Sequence, residues 1–201
     1  MKKININECL QAICNKDQYT YGHCVRVAYL SKLLCEQLQL NSVTTKAVYE
    51  AALIHDIGKV MIPDSILNKA GALTDEEFAI MKSHTSLGVS YLEKHYTDVP
   101  KTVRDIVGGH HEGLNGYGYP CGLSCNEISI EQRIVTVCDI FDGIASKRAY
   151  RTSLVPVDTV ISIMQKDGKI DKEILDVFVT SVLPAVSIDW NRTDTEALPF
   201  I

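Results

Sequence analysis

Two short runs rich in metal-type ligands dominate this chain: His55-Asp56-Ile57-Gly58-Lys59 and His110-His111-Glu112. Three of only six histidines sit in them, while His23 and His84 lie before and between them. Asp139 follows, inside the apolar run Ile134, Val135, Val137, Cys138, Ile140, Phe141. Imidazoles and carboxylates are costly to bury, so a fold that gathers them must also compensate them, and a cation does so directly. His23, His55, His84, His110 and Asp139 are separated by 32, 29, 26 and 29 residues. Such intervals suit a helical bundle in which successive helices each turn one ligand toward a shared centre.

The hydrophobic pattern agrees. Val27, Leu30, Leu34 and Leu38 recur at helical steps and predict an amphipathic helix over 23–40, with a second over 43–56 that ends at Gly58. Pro63-Asp64 opens a short helical piece to about residue 68, and 69–73 reads as a connection. Thr74-Asp75-Glu76-Glu77 has the form of a capping box, starting a helix that carries Met81 and ends near His84. Further helices are predicted over 88–95, 99–109, 131–145, 156–165 and 172–183. Residues 111–128, with Gly113, Gly116, Gly118, Gly122 and Pro120, resist helix and read as a long structured loop, which in a compact domain is usually functional. No β alternation or internal repeat is present. The expected fold class is all-α, with one domain over 1–186 and a C-terminal tail over 187–201.

Composition sets outer bounds. A chain of 201 residues with 46% hydrophobic and 22% charged residues can bury a full core. A net charge of -5 argues against binding a nucleic acid polymer, though not against an anionic substrate whose charge a metal offsets locally. No apolar run is long enough for membrane insertion, and the Met1-Lys2-Lys3 start has no signal-peptide core. Seven scattered cysteines suit a reducing cytoplasmic setting. Cys121 and Cys125 lack a second pair that would make a zinc site of them.

Each candidate also has a plainer explanation. A lone helix histidine is more often solvated than ligating, and His95, near a predicted helix end, is read that way. Asp139 could be half of a buried salt bridge, but its apolar neighbours make a ligand the better account. Counted together, His23, His55, Asp56, His84, His110, His111 and Asp139 are too many for one tetrahedral ion. They suit two first-row transition metals bridged by a carboxylate.

The full set resembles the HD-GYP family, a branch of the HD-domain metal-dependent phosphohydrolases. The resemblance rests on His55-Asp56-Ile57-Gly58-Lys59, His84 with Gly88, His110-His111-Glu112, Gly116-Tyr117-Gly118-Tyr119-Pro120, Asp139 with Asp142, and Arg148-Ala149-Tyr150-Arg151. Asp17 to Thr20, His23 and Arg26-Val27 match the way such domains begin. It implies an HD-domain helical bundle with a long glycine-rich GYP loop. The implied reaction is hydrolysis of cyclic di-GMP, a bacterial second messenger, to the linear dinucleotide and in some members on to GMP, by a metal-bridging hydroxide. Other nucleotides, including mixed cyclic dinucleotides, and a weakly active binding module are the alternatives.

By resemblance, His23, His55, Asp56 and Asp139 hold one divalent ion, and His84, His110 and His111 the other, with Asp56 bridging. Iron or manganese comes first, with zinc, cobalt or nickel compatible. Asp56 and Lys59 are the catalytic pair; Lys59, Tyr119, Asp142, Arg148 and Arg151 meet the substrate; Glu112 backs the histidines. Gly113 stands where the family commonly has a basic residue, and Asn115 where it has Asp. Tyr19 is not the glutamate found with a third metal, so two ions are expected. With no sensory module in the sequence, regulation is expected from a homodimer, from a separate partner or from substrate level alone.

Overall fold

The computed structural model describes residues 2–146 and 154–186. Within them the chain is helical, apart from a parallel pair of two-residue strands, β1 (Lys2–Lys3) and β2 (Tyr96–Thr97). The first helix, α1 (Ile6–Lys16), was not expected from the sequence. Asn5 caps it by accepting the N–H groups of Asn7 and Glu8 at 3.1 and 3.3 Å, and it buries Cys9 and Ile13, four residues apart.

Asp17 then caps α2 (Gln18–Gln37), taking the Thr20 N–H at 2.7 Å, so this helix starts a full turn before His23. Helix α2 is buried on almost every side and forms the axis of the bundle. It packs most extensively on α3 (Ser42–Leu53) and next on α8 (Ile130–Ala145). A 3-10 turn (Ile57–Met61), α4 (Asp64–Leu67) and α5 (Asp75–Lys82) follow α3, with the expected capping box of Thr74 and Glu77. Helix α6 (His84–His95) starts four residues earlier than expected, so His84 opens it rather than ending α5. Helix α7 (Lys101–Gly109) leads into the loop, which contains an isolated antiparallel bridge between Asn115 and Ser124 and a 3-10 turn at Cys125–Glu127.

After α8 come α9 (Val157–Lys166) and α10 (Lys172–Val177), and the last expected helix passes into a π turn at Phe178–Val182. Phe178 packs edge-on against Phe141 of α8, ring centroids 5.0 Å apart, and thereby ties the last described segment to the core. The expected tail, 187–201, and the run containing Arg148 and Arg151 lie outside the described residues.

One close backbone approach positions the site. The 3-10 turn after Asp56 lies directly against α6, and Gly58 and Gly88 face each other there. A Cβ at Gly58 would strike the carbonyl oxygen of His84 and stand 2.6 Å from the Gly88 nitrogen. A Cβ at Gly88 would stand 2.7 Å from Val107 Cγ1 of α7. The paired glycines let the turn carrying Asp56 reach His84. Gly58→Ala forces backbone apart and should cost about 1–3 kcal/mol, lowering Tm by roughly 3–10 °C in a domain this size. Thermal unfolding followed by circular dichroism checks this, and an unchanged Tm would show that the contact does not constrain the fold.

Candidate metal centre

Five segments converge on one buried point. His23 comes from α2, His55 and Asp56 from the turn after α3, His84 from the first turn of α6, and His110 and His111 from the end of α7. Asp139 comes from α8. Every sequence-predicted ligand arrives there, and all but His111 are fully or almost fully buried. Two triads result: His84 with His110 and His111, and His23 with His55 and Asp139, the ligand atoms within each lying within 4.8 Å of one another.

Asp56 lies between the triads and turns one oxygen to each. Its Oδ1 is 3.3 Å from His84 Nε2 and 3.8 Å from His110 Nε2. Its Oδ2 is 3.4 Å from His55 Nε2 and 3.8 Å from His23 Nε2. Lys59, one turn on, places Nζ 2.6 Å from the same Oδ2. Burial alone would raise the Asp56 carboxyl, but the Lys59 ammonium beside it outweighs burial and holds the group well below the usual carboxylate range.

Tautomers decide what the imidazoles offer. His55 Nδ1 lies 2.8 Å from the Ala52 carbonyl, His84 Nδ1 2.6 Å from that of Met81, and His110 Nδ1 3.0 Å from that of Ile106. A carbonyl only accepts, so each Nδ1 carries the proton and each Nε2 of the neutral ring presents a lone pair. Burial lowers His55, His84, His110 and His111, with His84 and His110 brought to about 4, so these rings are neutral at pH 7. The lone pairs then face one another: His84 Nε2 and His110 Nε2 are 3.2 Å apart. His55 Nε2 and Asp56 Oδ1 have no hydrogen-bond partner among the described residues. A buried set of acceptors with too few donors is what divalent cations relieve, and imidazole with carboxylate is a donor set for first-row transition metals. The residues present fit the implied ions.

The remaining predicted residues fall less uniformly. Tyr119 stacks on His111, centroids 4.8 Å apart, and lies beside His84, at the outer triad. Asp142, expected to meet a nucleobase, is instead fully buried behind His23 and is occupied by His23 and Arg26, so no face of it is open to a substrate. Glu112 supports the loop rather than the imidazoles: its carboxylate accepts the N–H groups of Cys121 and Leu123 at 2.6 and 2.8 Å. Gly118 folds back on the same turn, where a Cβ would stand 2.6 Å from the Gly113 nitrogen and the His111 oxygen. At Gly113 the space for a side chain is taken by the stem of Lys169, whose Cγ would be 2.6 Å from a Cβ. His95 is exposed at the end of α6, as expected.

Sequence reasoning gave no role to Arg26, Cys24 or Thr136. Arg26 follows His23 by three residues, which puts both on one face of α2, and that spacing was a usable signal. Thr136 Oγ1 donates to the His110 carbonyl at 2.9 Å. The Cys24 thiol lies within 4.8 Å of ligand atoms of His55 and Asp56. Burial pushes that thiol well above its ordinary pKa, so it stays protonated.

Comparison with known proteins supplies the family. A family model for the HD domain matches residues 8–174. A cyclic di-GMP phosphodiesterase of Pseudomonas aeruginosa is 37% identical over 166 residues, covering 83% of this chain and 40% of the relative. A 3'3'-cGAMP-specific phosphodiesterase of Vibrio cholerae is 38% identical over 152 residues, covering 76% of this chain and 32% of the relative. The chain thus spans well under half the length of either protein. The solved structure of an HDG"Y"P protein from Bdellovibrio bacteriovorus superposes with a TM-score of 0.66 at 23% identity, over 84% of this chain and 55% of that one, a likeness of fold. With the domain match, the curated relatives and the all-α bundle in agreement, the chain belongs to the HD domain family, in its HD-GYP branch.

Proposed function

We propose that this chain is a metal-dependent phosphodiesterase that opens the ring of a cyclic dinucleotide, with cyclic di-GMP as substrate, in the bacterial cytoplasm. One observation carries the reading: Asp56 offers one carboxylate oxygen to each of two triads of candidate ligands. That arrangement supports a binuclear centre with Asp56 bridging, filled by iron or manganese. When bound, two divalent ions lower the pKa of a shared solvent molecule and offset the negative charge of a phosphodiester.

The protein's own groups do the rest. The carbonyls of Ala52, Met81 and Ile106 keep three imidazoles in the ligating tautomer. Lys59 holds a cation beside the bridging carboxylate, where it can also meet a phosphate oxygen or the departing alkoxide. Tyr119, half-buried on His111, gives the mouth of the site an aromatic wall against which a base can lie. Arg148 and Arg151 complete the proposed substrate contacts. Among the described residues no helix is long and apolar enough to cross a membrane.

The relatives' names support a cyclic dinucleotide, and the similar identity to a 3'3'-cGAMP-specific enzyme makes the mixed ring the second reading. Assay of protein loaded anaerobically with iron, or with manganese, against both rings separates them. Opening of cyclic di-GMP to the linear dinucleotide is expected, and exclusive turnover of the mixed ring would replace the first reading with the second. No turnover of either ring by protein holding two ions would sink both. Asp56→Ala should lose the bridging ligand, retain fewer than two ions and fall in turnover by at least about a thousandfold, with the helical circular dichroism kept. Retention of both ions and of activity would remove Asp56 from the bridge.

The same burial gives the metal-free protein a pH signature. His84 and His110 titrate near 4 when folded, against about 6.5 in an unfolded chain. Between those values the unfolded chain takes up protons that the folded chain refuses. Stability is therefore full above about pH 6.5 and is lost as pH falls toward about 4. Thermal unfolding of chelator-treated protein should show a Tm roughly 5–10 °C lower at about pH 5 than at about pH 7.5. A flat profile would mean that these rings are not held neutral.

A further inference from the structure

The histidine ligands are anchored in two different ways. His55, His84 and His110 each give Nδ1–H to a main-chain carbonyl. His23 gives its Nδ1–H to a carboxylate, Asp142 Oδ2, at 2.6 Å. That carboxylate is inaccessible to solvent and is gripped by Arg26, Nε to Oδ1 at 2.7 Å and Nη2 to Oδ2 at 3.0 Å. The pattern follows from two three-residue spacings, His23 with Arg26 on α2 and Asp139 with Asp142 on α8. The two helix faces meet as a ladder in which Asp139, His23, Asp142 and Arg26 follow one another through short polar contacts. A carboxylate draws the Nδ1 proton more strongly than an amide carbonyl and so makes the opposite nitrogen a stronger donor to a cation. The triads also differ in charge, since one contains Asp139 and the other is three imidazoles.

We propose that Asp142 is a positioning residue for His23 and that, with Arg26 holding it, it makes the His23–His55–Asp139 triad the tighter of two unequal metal sites. The inference rests on the binuclear reading above and concerns metal affinity alone. The His84–His110–His111 triad then fills second and empties first.

Titrating chelator-treated protein with Mn2+, and counting free ion by electron paramagnetic resonance, resolves the steps without any substrate. The unaltered chain should show two steps of unequal affinity. His84→Ala should abolish the weaker step and keep the tighter one. Asp142→Asn should weaken the tighter step about 10–100-fold and move the weaker one by less than about threefold. A role confined to folding would shift both steps together and lower the metal-free Tm. Asp142→Asn strands a buried guanidinium, so Arg26→Met/Asp142→Asn removes both charges and should show the same selective loss. Equal steps or a single ion in the unaltered chain, or unchanged steps in both Asp142 variants, would overturn the proposal. Two unequal steps without hydrolysis of any cyclic dinucleotide would instead count against the phosphodiesterase reading and leave this one standing.

Discussion

The bundle is arranged around one buried carboxylate. Asp56 has essentially no solvent exposure, and its neighbours are four imidazole Nε2 atoms and the Lys59 ammonium. Isolated, such a charge would cost several kcal/mol to bury. Lys59 offsets it at one oxygen only, and His55, His84 and His110, neutral and with Nδ1 committed to carbonyls, bring further lone pairs rather than protons. Hydrophobic burial of residues such as Leu30, Ile54, Ile106 and Ile134 around this point is what holds the unfavourable cluster together. The fold stores an electrostatic deficit that divalent cations are suited to fill.

The loop after His110 looks irregular but is built to a purpose. Glu112 is buried and takes two main-chain N–H groups of residues nine and eleven positions on, which closes the glycine-rich segment onto the ligand turn. Arg133 of α8 adds the carbonyls of Cys125 and Ile128 and the carboxylate of Asp171. Gly118 lets the segment approach His111 without a side chain between them. The result sets Tyr119 on His111, so the aromatic wall of the site is fixed by the residue next to its ligand pair. Tyr117, two residues before Tyr119, is by contrast exposed.

Most of the centre was legible in the sequence, because costly side chains at helix-length intervals leave few arrangements that compensate them. Every residue expected as a ligand lies in one buried cluster, and the capping box at Thr74 and the irregular loop are present where the sequence places them. What escaped was of two physical kinds. Helix α1 was missed although Ile6, Cys9, Leu10 and Ile13 repeat at helical spacing, since the polar residues between them dilute the signal and its stability comes from packing on the 3-10 turn and α2. His84 was placed at the end of a helix rather than the start of one. The break at Ser83 has no side-chain cap to announce it, and the tertiary contact of Gly58 with α6 sets where that helix begins.

Asp142 shows why ligand-like residues on one helix need not share a role. It follows Asp139 by three residues and so lies on the same face of α8. A helix face is one turn deep at that spacing, about 5 Å along the axis, and the centre occupies only the level of Asp139. One turn on, the same face meets Arg26 of α2 instead of open space, and His23 spans the two levels with its two ring nitrogens. The imidazole therefore converts a second carboxylate, too far along the helix to reach the centre, into an influence on it. The other anchored imidazoles rest on main-chain carbonyls, which carry no net charge, so whatever asymmetry the two triads have in common chemistry is reinforced at His23 and nowhere else among these rings.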